Sequence, residues 1–85
     1  MKIQHELIEL VNKMIGLEGD SSEQANLERD QVREKIQMIG RTAAFFGGFG
    51  GMAQLHDACE DLTGNRNVIG YELNRAWDGI GGWWA

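Results

Sequence analysis

His56, Asp57, Cys59, Glu60 and Asp61 crowd one short segment, and they are the residue types that ligate metals or carry nucleophilic chemistry. On a helix, His56 and Glu60 stand one turn apart and His56 and Cys59 three residues apart, so one face could offer two ligands to zinc or iron. A site needs at least three, and His5 with Glu9 would have to supply the rest. Spacings of three and four recur by chance, and the plainer reading makes Cys59 a small core residue beside a His56–Glu60 surface pair. Cys59 and His56 are no stronger as nucleophile and base, because the sequence fixes no third group to orient them. The expectation is a protein with no catalytic residue, no metal and no cofactor.

A second kind of chemistry is recognition by rings. Ten of the twelve glycines lie between Gly40 and Gly82, and they gather around aromatic residues in two knots, from Phe45 to Gly51 and from Trp77 to Trp84. Large rings beside flexible backbone are costly to leave in water and costly to order, so each knot should be buried or reserved for a partner. Gly47, Gly48, Gly50 and Gly51 precede a helix expected from Met52, which makes them a candidate anion nest. The loop lacks the Lys-Ser/Thr ending of a P-loop and no strand leads into it. Nucleotide binding, by an oligomer that sequesters a small molecule and stacks its base on Phe or Trp, is the alternative function on this reading.

The C-terminal knot points more strongly to a protein partner, since Trp is enriched at interface hot spots. Trp77, Trp83, Trp84 and Phe49, with the acids Asp57, Glu60 and Asp61, are the candidate partner-binding residues. The competing reading folds Trp77, Ile80, Trp83 and Trp84 back to close the end of a small bundle. The Gly/Phe and Gly/Trp texture is similar to viral fusion peptides over about ten residues at each knot. The acidic charge opposes adsorption to anionic lipid, so no membrane contact is expected.

These groups must be held by helices. Ile3, Leu7, Leu10, Met14 and Leu17 repeat at steps of four and three, which predicts a helix over 2–17. Gly16 and Gly19 stop it, and Ser21 with Gln24, or Asp20 with Glu23, has capping-box spacing for a second helix beginning near Ser22. Ala25, Val32, Ile36, Ile39, Ala43 and Phe46 carry its apolar rhythm, while the charged residues from Glu28 to Lys35 cover its solvated faces.

Four glycines among residues 47–51 would cost a continuous helix about 4 kcal/mol relative to alanine, which favours a turn there. Gly40, Ala44, Gly47, Gly48 and Gly51 also form a small-residue stripe, which would instead permit a close helix crossing. Met52, Leu55, Cys59 and Leu62 define a short third helix stopped at Thr63-Gly64-Asn65. Asn67 could cap a fourth, with Ile69, Leu73, Ala76 and Ile80 on one face. Residues 68–71 could be extended, but no strand partner is evident.

Size and charge bound the rest. The 85 residues make a single helical domain, too small for a large enzyme core, and 42% hydrophobic with 25% charged residues is ordinary for a folded soluble chain. A lone Cys59 gives no internal disulfide, and the polar start reads as no signal peptide, so a cytoplasmic location is expected. The net charge is −5, with eight acids and six bases in residues 1–46 and five acids and two bases in 47–85. Without a basic stripe, direct nucleic-acid binding is disfavoured, and a protein partner with a basic surface is the better match.

The fold expected is all-α, a small bundle of three to four helices with an N-terminal antiparallel hairpin, and the two long apolar stripes suggest a homodimer. In size, acidity and lack of a catalytic motif the chain resembles the small phage-encoded inhibitors of bacterial defence systems, anti-CRISPR proteins among them. The likeness is one of profile, carried by no motif and transferring no site. It implies a non-enzymatic protein that acts in a bacterial host by occluding a partner's surface.

Overall fold

The computed structural model describes residues 2–64 and 66–83, with side chains throughout that range except at 2 and 66–68. Three helices follow one another: α1 at Lys2–Leu17, α2 at Glu23–Thr63 and α3 at Arg66–Trp77. No strand occurs among the described residues, and 68–71 lie within α3 rather than in an extended segment. The all-α bundle and its opening helical pair are as the periodicity implies.

Local signals account for both ends of α2. Ser22 caps α2, its hydroxyl accepting from the Ala25 N–H at 3.2 Å. Neither expected capping box forms, because Asp20 instead accepts from the Ser22 N–H at 2.9 Å and holds the cap in place. That contact keeps the exposed Asp20 carboxyl below its usual range, the backbone bond from Ser22 being the main cause. Arg29 reaches back to the Leu17 carbonyl at 3.0 Å and to Asn26, tying α2 to the end of α1. At the far end, the Gly64 N–H closes on the Glu60 carbonyl at 3.0 Å with Gly64 in the left-handed region.

α2 is one helix by hydrogen bonding and two by direction. At about 1.5 Å per residue, its 41 residues would reach roughly 60 Å if straight, yet the longest dimension of the molecule is 37 Å. The break is Gly48, at φ 62° and ψ −157°, a backbone region that residues with a Cβ essentially do not enter. The expected turn is therefore a bend at one residue, and the expected close crossing accompanies it. A Cβ on Gly51 would lie 3.0 Å from the Ala43 carbonyl oxygen of the arm before the bend.

α2 packs against both other helices, while α1 and α3 meet each other much less. The core joins Leu7, Val11 and Met14 of α1, Val32 and Ile36 of the first α2 arm, Met52 and Cys59 of the second, and Ile69, Leu73, Ala76 and Trp77 of α3. Two expected core positions are elsewhere. Phe46 is 82% exposed and Leu62 52% exposed; just before the bend the inner face is taken by Ala43 and Ala44, approached closely by Gly51 and Gly81, which leaves Phe46 outward. The fourth helical stripe also stops short, since α3 ends at Trp77 and Ile80 sits half-buried in the turn beyond it.

The bend gives a paired prediction. Gly48→Ala should lower stability by about 1 to 3 kcal/mol. Gly47→Ala, one residue away, should be neutral or stabilising by up to about 1 kcal/mol, since Gly47 is helical and a Cβ there meets nothing within 4 Å. Thermal melts of both variants check this; equal melting points would mean that α2 does not turn at Gly48.

Candidate functional site

Two rings of the C-terminal knot, Trp77 and Trp83, are folded inward. Trp77 is fully buried, and its indole N–H donates to the Ile36 carbonyl at 3.0 Å. This corrects its placing among partner-contacting residues, for a ring with no exposed surface contacts no partner. Beyond α3 the chain doubles back through two tight turns, with the Gly79 N–H bonded to the Trp83 carbonyl at 2.7 Å and the Trp83 N–H to the Ile80 carbonyl at 2.8 Å.

These turns lay the Trp83 ring edge-on against Trp77 at 5.3 Å between centroids, and beside His56 at 5.2 Å and Phe49 at 5.0 Å. Its indole N–H donates to Asn74 at 3.0 Å. Half-buried Trp83 thus closes the bundle end, while Phe49 is half covered by it and 52% exposed. Trp84 lies outside the described residues.

His56 anchors the same end. Its Nδ1 lies 3.2 Å from Glu60 Oε1 and 4.0 Å from Asp57, and its Nε2 lies 3.4 Å from the Gly70 carbonyl of α3. Gly70 makes room for this: a Cβ there would come within 2.5 Å of the Glu60 carboxylate and 3.3 Å of the His56 ring. The pair therefore welds the second α2 arm to α3, and Glu60 is largely buried rather than offered to a partner. Asp57 and Asp61 remain exposed on that arm.

The cluster differs from the metal site weighed from the sequence. His56, Asp57 and Glu60 each offer one ligand atom within 4.8 Å of one another, all from one stretch of α2. The other residues weighed as ligands are elsewhere: His5 and Glu9 are exposed on α1, and Cys59 is fully buried with its sulfur 3.9 Å from the Gln4 carbonyl. Burial, aided by the Glu60 charge, pushes the Cys59 thiol up to about 11, which suppresses the thiolate that nucleophilic attack or metal ligation requires.

The unassigned surface lies at the bend. Phe45 and Phe46 are 83% and 82% exposed, in edge-to-face contact at 5.1 Å between centroids. Beside them a groove runs between the start of α1 and both arms of α2, floored by Ile3, Ala43 and Leu55, edged by Thr42, Phe46 and Gln54, and continuing past Met38 and Ile39. Met38 is more than half exposed.

No charged residue occurs from 42 to 55. The glycines considered as an anion nest, Gly47, Gly48, Gly50 and Gly51, fall inside this uncharged stretch and have no cationic side chain of their own to meet a phosphate. The sequence did contain a signal for the exposed rings. Gly40, Ala44 and Gly51 turn inward, where Trp77, Gly81 and Ala43 approach them closely, so the phenylalanines interleaved with them face out.

No helix among the described residues is long and apolar enough to cross a membrane. No family model matches the chain, and neither curated proteins nor solved structures give a match.

Proposed function

We propose that the chain is a non-enzymatic protein-binding module whose contact surface is the aromatic bend of α2. The observation that carries this reading is the adjacent pair Phe45 and Phe46, both more than four-fifths exposed beside an apolar groove and within the uncharged stretch 42–55. A soluble chain gains nothing from leaving two such rings in water, and burying each against a partner is worth roughly 2 kcal/mol. The net charge of −5, with Asp57 and Asp61 exposed, favours partners that are basic around the contact and steers their approach. Size and acidity fit a phage-encoded inhibitor that occludes a bacterial defence protein in the host cytoplasm.

The test is capture of binding proteins from bacterial lysate by the parent chain and by a Phe45→Ser, Phe46→Ser variant, with circular dichroism to show that both are folded. The expected result is loss of the bound protein with the variant and its retention with Trp83→Ala. A folded double variant that captures the same protein as the parent would refute the reading. Nucleotide sequestration gains no support from the bend, where residues 42–55 supply no cation.

A further inference from the structure

We propose that the bend face is the contact between two copies of this chain, related by a two-fold axis, with Phe45 of each copy seated in the groove of the other. The proposal rests on the reading of the bend as a protein-contact surface and names its occupant. An isologous interface must be self-complementary, so the same patch has to offer both a projection and a recess. This one does: Phe45 and Phe46 project at one side, and the groove floored by Ile3, Ala43 and Leu55 lies directly beside them.

The rim adds charge complementarity. Glu6 and Lys35 border the continuation of the groove past Met38, one of each sign, so a two-fold axis can set Lys35 of one copy against Glu6 of the other.

The area is of the right size. Phe45, Phe46 and Met38 are 83%, 82% and 56% exposed; at roughly 200 Å² for each large side chain they present on the order of 400 Å² of apolar surface. That already equals the largest patch of a typical monomer. With the groove walls added, the face stays below the ~800 Å² per partner of a standard interface and matches the smaller contact of a weak, concentration-dependent dimer. The longer apolar stripes of α1 and α2 are not available for this, because Leu7, Val11, Met14, Val32 and Ile36 are spent on the chain's own core.

Sedimentation of the full chain from micromolar to sub-millimolar concentration tests the proposal, with two variants that alter only exposed positions. Phe45→Ser removes the projection, and Thr42→Arg puts a charge at the groove edge. The parent should sediment at twice its 9.5 kDa mass, and each variant should weaken dimerisation by at least tenfold while keeping the parent's helical signal. A parent that stays monomeric throughout overturns the proposal, and so does a dimer unaffected by both variants. The underlying reading fails separately: a monomeric parent that loses its captured protein on Phe45→Ser, Phe46→Ser substitution would leave the bend a contact surface for another protein.

Discussion

Trp77→Ala is expected to lower the melting temperature by on the order of 20 °C, or to leave the chain largely unfolded. Removing a fully buried Trp typically costs about 3 to 5 kcal/mol. A chain of this size has a total stability of only about 4 to 13 kcal/mol, so one side chain carries a large share. Its neighbours show why. The ring is bonded to Ile36 of the first α2 arm, touches His56 of the second and supports Trp83 of the tail, so its loss uncouples three segments at once.

Gly40 provides the matched test. A Cβ there would fall 2.5 Å from the Trp77 indole nitrogen and 2.6 Å from the adjacent ring carbon. A helical Gly→Ala change ordinarily gains up to about 1 kcal/mol; this one should lose about 1 to 3 kcal/mol through overpacking. In a Trp77→Leu background the collision is gone, and Gly40→Ala should become neutral or stabilising. A double-mutant cycle followed by chemical denaturation measures this coupling. Equal effects of Gly40→Ala in the two backgrounds would show that the helix and the ring do not meet.

The same contact explains how far the sequence could be read. Helix existence was legible because the apolar spacing in α1, in residues 25–39 and in α3 is regular, and the stop at Gly64 is local chemistry that survives packing; the cap of α2 fell one residue beyond the Ser21 expected. The joining of the middle helices was not legible. A glycine cluster argues against helix by propensity, and only the tertiary fit shows that a single residue, Gly48, takes the whole change of direction while Gly47, Gly50 and Gly51 stay helical.

The two aromatic knots exchange roles for a related reason. Periodicity assigns rings to a face of one helix but cannot say which arm of a bent helix will cover that face. Trp77 and Trp83 found cover because the tail turns back; Phe45 and Phe46 did not, because the closely packed inner positions beside them are held by Gly40, Ala43, Ala44 and Gly51. Trp77 and Trp83 therefore serve the fold, and the exposed chemistry moves to the bend. Asp57 and Glu60, three residues apart and alike in charge, divide likewise: one remains in solvent while the other is drawn under Gly70.

Glu72 should make the protein less stable as pH rises from about 4.5 to about 7. Nothing in the apolar spacing of α3 marks this acid as buried. In the structure Glu72 is buried, 8% exposed, and its carboxyl is pushed up to about 7 from an ordinary 4.5. Burial is the main cause, followed by a hydrogen bond to Glu18 and the negative charge of that residue, with Arg75 and Arg33 opposing.

A carboxyl whose affinity for its proton is raised by folding holds more protons in the native state than in the unfolded one throughout that interval. Stability therefore falls with rising pH. The penalty is absent below about 4.5, where both states are protonated, and complete above about 7, where both are ionised. Its full size is a few kcal/mol, or roughly 10 °C in melting temperature.

Glu72→Gln keeps a donor for Glu18 without the charge. It should raise the melting temperature at pH 8 by about that amount, change little at pH 4, and flatten the slope between. Arg33→Gln should act in the opposite sense at pH 8, since Arg33 is one of the two cations that relieve the ionised pair. Melting curves for the three proteins across this range decide the matter, and parallel parent and Glu72→Gln profiles would place the buried proton elsewhere. A parent dimer would also melt at a concentration-dependent temperature, so the comparison belongs at one protein concentration, where a change at Glu72, remote in sequence from the Phe45–Phe46 face, reports on the α1–α3 end of the fold alone.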